Sequence, residues 1–238
     1  MGTGYRSRVV RGGLECFEVL VKQTDLWVAA EKRLEKEARD LVLSARHALE
    51  GYIEEHPQFG TSLAPLPPDP FAPLIVKQML EAGRLAGVGP MAAVAGAIAQ
   101  FVGEGLLGWS SQVIVENGGD IFLATKEETT VKLWAGTSPF GEKLGLTIPP
   151  EMMPLGVCSS SATVGHSLSM GQADLVTVMA KSPPLADAVA TRIGNKIKEK
   201  KDMEAGINWA KELPGVKGIV IILNDALASW GEVELVTL

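Results

Sequence analysis

Two cysteines, Cys16 and Cys158, are all the thiols that 238 residues carry. They form no disulfide framework, and the absence of a CxxC pair removes the redox reading. Basic charge is equally scarce. The net charge is −6 and the one basic block, Lys196 to Lys201, is balanced by Glu199, Asp202 and Glu204, so a nucleic-acid partner is excluded and a solvated helix end is expected there. No Walker A, GxGxxG or HExxH motif occurs, which removes the NTPase, dinucleotide and zincin readings. The first residues lack the apolar core of a signal peptide, so the expected location is the cytoplasm. One uncharged stretch, Leu85 to Gly103, approaches the length of a membrane span, but Pro90, its glycines and Gln100 interrupt it. A small-residue helix buried in a core accounts for the same residues, and no membrane is expected.

What is present fits one folded domain over residues 1–238, with 46% hydrophobic and 21% charged residues. Phe17 to Val21 and Leu26 to Ala30 read as two strands. From Glu31 to about Glu55, Leu34, Ala38, Leu41, Ala45, Ala48 and Tyr52 recur at helical spacing with charges opposite, and predict a long amphipathic helix. Residues 57–73 hold six of the 14 prolines, which predicts a long loop without regular structure. Helices follow from Leu74 and from Pro90. Val113 to Val115 and Ile121 to Ala124 flank Glu116 to Asp120, a hairpin signal, and further strands are expected at Val131 to Ala135, Leu144 to Ile148, Leu175 to Ala180, Gly218 to Leu223 and Val233 to Val236. Without a regular βαβ repeat, the pattern is an α+β fold, mostly antiparallel, with helices on one face.

The chemistry concentrates in three stretches. In SPPLADAVATRIG, Ser182 reads as an N-cap and Pro183-Pro184 as the first helical positions. Leu185, Val189, Ile193 and Ile197 form a core stripe, which leaves Asp187 and Thr191, four residues apart, to share another face. A carboxylate held ionised by the helix dipole beside a hydroxyl offers the hard oxygens that Mg2+ or Ca2+ prefers. The commoner meaning of such a pair is an acidic residue at a helix start and a Thr bonded back to the backbone, and residue chemistry alone favours it. In Asn117-Gly118-Gly119-Asp120 the glycines would let a phosphate or ring approach the backbone, although a hairpin demands them too. The third stretch runs from Cys158 through Ser159, Ser160 and Ser161 to Gly165 and His166. Its hydroxyls and N–H groups suit a pyrophosphate, and His166 is placed as acid, base or hydrogen-bond donor, or as a plain loop histidine. Cys158 reads as a buried, inert thiol, and His47 and His56 as solvated.

In order, NGGDI at Asn117 to Ile121, GHSLSMG, the VTVMA strand and ADAVAT at Ala186 to Thr191 resemble segments of the ApbE-type family of flavin transferases, and most closely its short cytoplasmic relatives. The resemblance covers most of Pro90 to Leu238 and is weaker before that. It implies an ApbE-like, T-fold-related α+β domain and a Mg2+ site formed by Asp187, Thr191 and a main-chain carbonyl near Ala93. It also implies an FAD site lined by Asn117 to Asp120, Ser159 to Ser161, Gly165 and His166. FAD cleavage with transfer of FMN to a Thr or Ser of an acceptor protein would be the activity, FAD pyrophosphatase action a variant of it, and a homodimer is compatible.

Two positions depart from the pattern: Gly96 stands where the family usually has Lys, and His166 is followed by Ser-Leu-Ser-Met-Gly instead of Asp-Pro. These departures keep open a protein that binds flavin or another nucleotide without transferring it, as an accessory in a pathway such as sulfur assimilation. A purely structural or interaction role is the third reading.

Overall fold

The computed structural model describes residues 13–162 and 171–238. Strands β1 (Glu15–Val21) and β2 (Thr24–Ala30) open the chain, followed by α1 (Glu35–Glu55), α2 (Pro57–Thr61) and α3 (Leu74–Ala86). A 3-10 turn at Pro90–Ala93 leads into α4 (Val94–Leu106). Strands β3 (Val113–Asn117), β4 (Asp120–Ala124), β5 (Thr129–Leu133), β6 (Leu144–Ile148), β7 (Leu155–Ser160) and β8 (Leu175–Ala180) come next. Helices α5 (Pro183–Lys196) and α6 (Lys200–Lys211) precede β9 (Val216–Leu223), β10 (Ala226–Gly231) and β11 (Glu234–Thr237).

Eight strands form one sheet in the order β1-β2-β3-β4-β7-β8-β9-β10, and β11-β6-β5 form a second; every pairing is antiparallel. The expected α+β, antiparallel architecture is therefore present. Helices cover one face of the larger sheet, as expected, and the three-stranded sheet covers the other. Val113, Val115, Val176, Val178, Ile219 and Ile221 point to the helices, while Ile114, Leu175, Met179, Val220 and Ile222 pack with Val131, Leu133, Leu146 and Ile148. Burial on both faces is why these strands read as continuous apolar runs without alternation. Each such Val or Ile contributes on the order of 1.5–3 kcal/mol through its burial.

The long helix buries Ala38 and Ala45 of the predicted stripe, together with Val42 and Leu49, which widen it. The proline-rich segment is less irregular than predicted, since Pro57 starts the short α2, where its missing N–H costs nothing. Gly87 ends α3 at φ +69°, a left-handed conformation suited to glycine. The uncharged stretch from Leu85 is not one long helix. Among the described residues no single helix is long and apolar enough to cross a membrane; α3 and the segment Pro90–Leu106 meet that criterion only as a pair, bent by 104°. Both lie in the core, with Met79, Ala86, Ala93, Ala97, Ala99 and Val102 buried.

Candidate functional site

The hairpin between β3 and β4 turns on Gly118 (φ +66°) and Gly119 (φ +109°), a two-residue loop that only glycine forms without strain at both positions. It leaves Asn117 and Asp120 paired at the strand ends. Asn117 Nδ2 donates to the Ala95 carbonyl at 3.1 Å, which ties the hairpin to the first turn of α4. Asp120 is 7% exposed, and its Oδ1 accepts the Ser159 N–H from β7 at 3.2 Å.

Helix α5 begins at Pro183 as predicted, with Ser182 in the cap position but without a side-chain cap bond. Asp187 lies one residue beyond the first turn, not within it, and is half-buried. Its Oδ2 accepts the Gly96 N–H at 2.9 Å, so the carboxylate sits over the N-terminal end of α4, where N–H groups are unsatisfied within the helix. Contact this close requires glycine at position 96. A Cβ there would stand 2.5 Å from the Pro183 carbonyl oxygen and 3.0 Å from Asp187 Cβ.

The electrostatics differ from the expectation that the dipole holds Asp187 ionised. Burial, followed by the charge of Asp120, pushes the Asp187 carboxyl well above the ordinary carboxylate range, and the N–H groups of Gly96 and Ala95 offset this only in part. Cys158 lies beneath the pair, wholly buried and donating its S–H to the Pro183 carbonyl at 3.4 Å. Burial, then the charges of Asp120 and Asp187, pushes its thiol well up, so it is inert as expected. Asp120 thus lies near enough for its charge to act on Asp187, whose carboxylate also meets the Ala95-Gly96 backbone. Carboxylate and hydroxyl oxygens are the hard donors that suit a divalent cation such as Mg2+ or Ca2+.

The predicted residues are thus partly assembled. Asn117, Asp120, the Ser159 backbone and Asp187 converge around the start of α4, with Thr191 one turn along α5. The main chain that meets Asp187 is Ala95-Gly96, whereas Ala93 is fully buried in the preceding 3-10 turn. Ser159 directs its hydroxyl to Thr177 Oγ1 at 2.9 Å across the sheet. Ser160 instead faces α5, where its Oγ lies against Gly194. Ser161 is half-buried just past the strand. Gly165 and His166 lie outside the described residues. Sequence reading did not single out Ala95, Thr177 or the packing role of Gly96; for Gly96 the signal was a glycine where the resemblance expects Lys, while an Ala inside an Ala/Gly run carries none.

A sheet sandwiched between helices and a small second sheet, with a carboxylate-bearing helix crossing the start of a small-residue helix, defines an ApbE-type protein. The family model described as AbpE bacteria matches residues 6–224, and the chain belongs to this ApbE-type family. A UPF0280 protein of Methanocaldococcus jannaschii is 40% identical over 225 residues, spanning 92% of this chain and 91% of its own. One from Methanosphaerula palustris is 41% identical over 218 residues, 89% of each chain. Among solved structures, the flavinyl transferase ApbE of Pseudomonas stutzeri aligns with a TM-score of 0.57 at 13% identity, over 92% of this chain and 94% of that one. The flavin transferase ApbE from Vibrio cholerae aligns at 0.55 and 13%, over 92% and 97%. At such identity the structural likeness establishes a common fold.

Proposed function

We propose that this protein binds FAD with a divalent cation, Mg2+ or Ca2+, and cleaves it, transferring FMN to a Thr or Ser of an acceptor protein. The observation that carries the reading is the Asp187 carboxylate seated on the Gly96 N–H at the start of α4, with the charge of the buried Asp120, itself bonded to the Ser159 N–H, acting on it. Asp187, Thr191 and a main-chain carbonyl at Ala93 to Ala95 would hold the cation, which when bound would neutralise pyrophosphate charge. Asn117 fixes the hairpin against α4 so that Gly118 and Gly119 present bare backbone to the nucleotide. Ser160 and Ser161 would donate to phosphate oxygens, and His166 with Gly165 would line the reacting phosphate as proton donor or acceptor. Flavin transferase activity is what the names of the two aligned ApbE structures state of those proteins.

One observation favours a second reading, flavin binding without transfer. Position 96 has no room even for a Cβ, so the Lys that the resemblance expects there has no counterpart. Calorimetry with FAD, with and without Mg2+, on the wild type and on Asp187→Ala, tests both. Binding that needs Mg2+ and vanishes in the variant supports the cation-assisted flavin site; FMN release or transfer then supports the enzyme, and retention of intact FAD the binding protein. No FAD binding under any condition refutes both.

A further inference from the structure

Helix α5 has a second functional-looking side. At about 100° per residue, Arg192 and Lys196 stand about 140° and 180° around the helix from Asp187, so they face away from the carboxylate pair. There, α5 and α6 enclose a groove of about 320 Å³ lined by Arg192, Ile193, Lys196, Asp202, Gly206 and Trp209. Gly206 brings the helices together, since a Cβ at that position would already touch Ile193 at 3.1 Å. The half-buried Trp209 indole forms one wall, with the Arg192 guanidinium carbon 5.9 Å from its ring centroid.

Two cations four residues apart on one helix face repel each other and are normally neutralised. Among the described residues Arg192 bonds only to the Gly87 carbonyl at 3.5 Å, and Lys196 has no carboxylate partner. The one acid in the lining, Asp202, forms no ion pair with either; its Oδ2 accepts the N–H groups of Lys198 and Glu199 at 2.9 and 3.0 Å in the capping box of α6. The lining therefore carries two cations against one carboxylate, a net positive charge on a chain whose total is −6. A dianion matches two cations better than a carboxylate does, and the indole and guanidinium faces suit a flat ring.

We propose that the α5–α6 groove binds a small planar molecule bearing a phosphate group, with Arg192 and Lys196 on the phosphate and Trp209 along the ring. The site is separate from the cation site and does not rest on the flavin reading. The test is a titration with AMP in EDTA, followed by tryptophan fluorescence, on the wild type, Lys196→Gln, Arg192→Gln and Trp209→Phe. Saturable quenching that is lost in Trp209→Phe is expected, with binding weakened about tenfold in each charge variant. Asp187→Asn should bind AMP as the wild type does. Lys196 is exposed, so its variant reports on binding and not on folding, which a melting curve verifies. No saturable binding, binding unaffected by Lys196→Gln and Arg192→Gln, or binding that needs Asp187 overturns the proposal. Inorganic phosphate competing as tightly as AMP overturns the role of Trp209 and the planar ligand.

Discussion

Replacing Gly96 by Ala tests the contact on which the whole site depends. The added Cβ would lie 2.5 Å from the Pro183 carbonyl oxygen, 2.8 Å from its carbon and 3.0 Å from Asp187 Cβ. The first two are backbone atoms, so no rotamer change relieves the clash and α4 must move off α5. Overpacking of this kind costs about 3 kcal/mol. Ala also favours a helix over Gly by at most about 1 kcal/mol, which leaves a net loss of about 2 kcal/mol. For a chain of this length that lowers Tm by about 4–8 °C. Gly51 in α1 is the matched control, because a Cβ there meets nothing within 4 Å. Gly51→Ala should raise Tm by about 2–4 °C through helix propensity alone. Thermal unfolding of both variants decides the matter, and a Gly96→Ala protein that melts at or above the wild-type temperature would refute the described approach of α5 to α4. Gly96→Lys should be more damaging still, although it restores the residue that the family resemblance expects.

Asn117→Ala removes the bond from the β3–β4 hairpin to the Ala95 carbonyl; unfolding in urea should show a loss of about 1 kcal/mol, and unchanged stability would mean the tie is not formed. The raised Asp187 carboxyl gives a pH signature. Its folded value lies above its unfolded value, so the folded state binds more protons, and stability falls as pH rises from about 4 through the folded value. Other carboxylates, such as Asp69 and Asp202, are shifted downwards and act in the opposite sense, so the informative quantity is the wild-type Tm minus that of Asp187→Asn. That difference should fall with rising pH without divalent cation and flatten when Mg2+ is added; a flat difference in both conditions contradicts the paired carboxylates. For the cysteines, a thiol reagent applied to the native protein should label the exposed Cys16 and leave Cys158 unmodified until unfolding, as mass spectrometry of the labelled peptides would show.

Where one residue type repeats at one period, the chain could be read directly. The stripe of α1, the β1–β2 pair and the start of α5 at Pro183 all follow from local pattern. Strand β7 was obscured because Ser159 and Ser160 look like loop hydroxyls. Their places become intelligible only through partners distant in sequence: Thr177 across the sheet for one, Gly194 on α5 for the other. Helix α6 was hidden by its charges, for Lys200 and Lys201 suggested the end of a helix when they begin one, and the buried Met203, Ile207 and Ala210 were the available signal. Membership of the second sheet is not a local property at all. Val131 and Leu146 read as ordinary strand residues, and nothing in their neighbourhood says that they cover the far face of the larger sheet.

The site shows the same division more sharply. Residue chemistry nominated Asp187 for its oxygen and placed it on a solvated face, near its own helix's positive end. The fold instead lays it over a different helix and against Asp120, which stands 67 positions earlier in the sequence. Its unusual property, a carboxyl raised by burial and by a second carboxylate, comes from that juxtaposition, not from the ADAVAT segment. The glycine at 96 is what permits it, and the same glycine excludes the expected Lys. Close packing of α4 on α5 and the absence of a basic side chain at position 96 therefore go together. A variant with a larger side chain at this position would have to separate the two helices, and with them the residue-96 N–H from the Asp187 carboxylate.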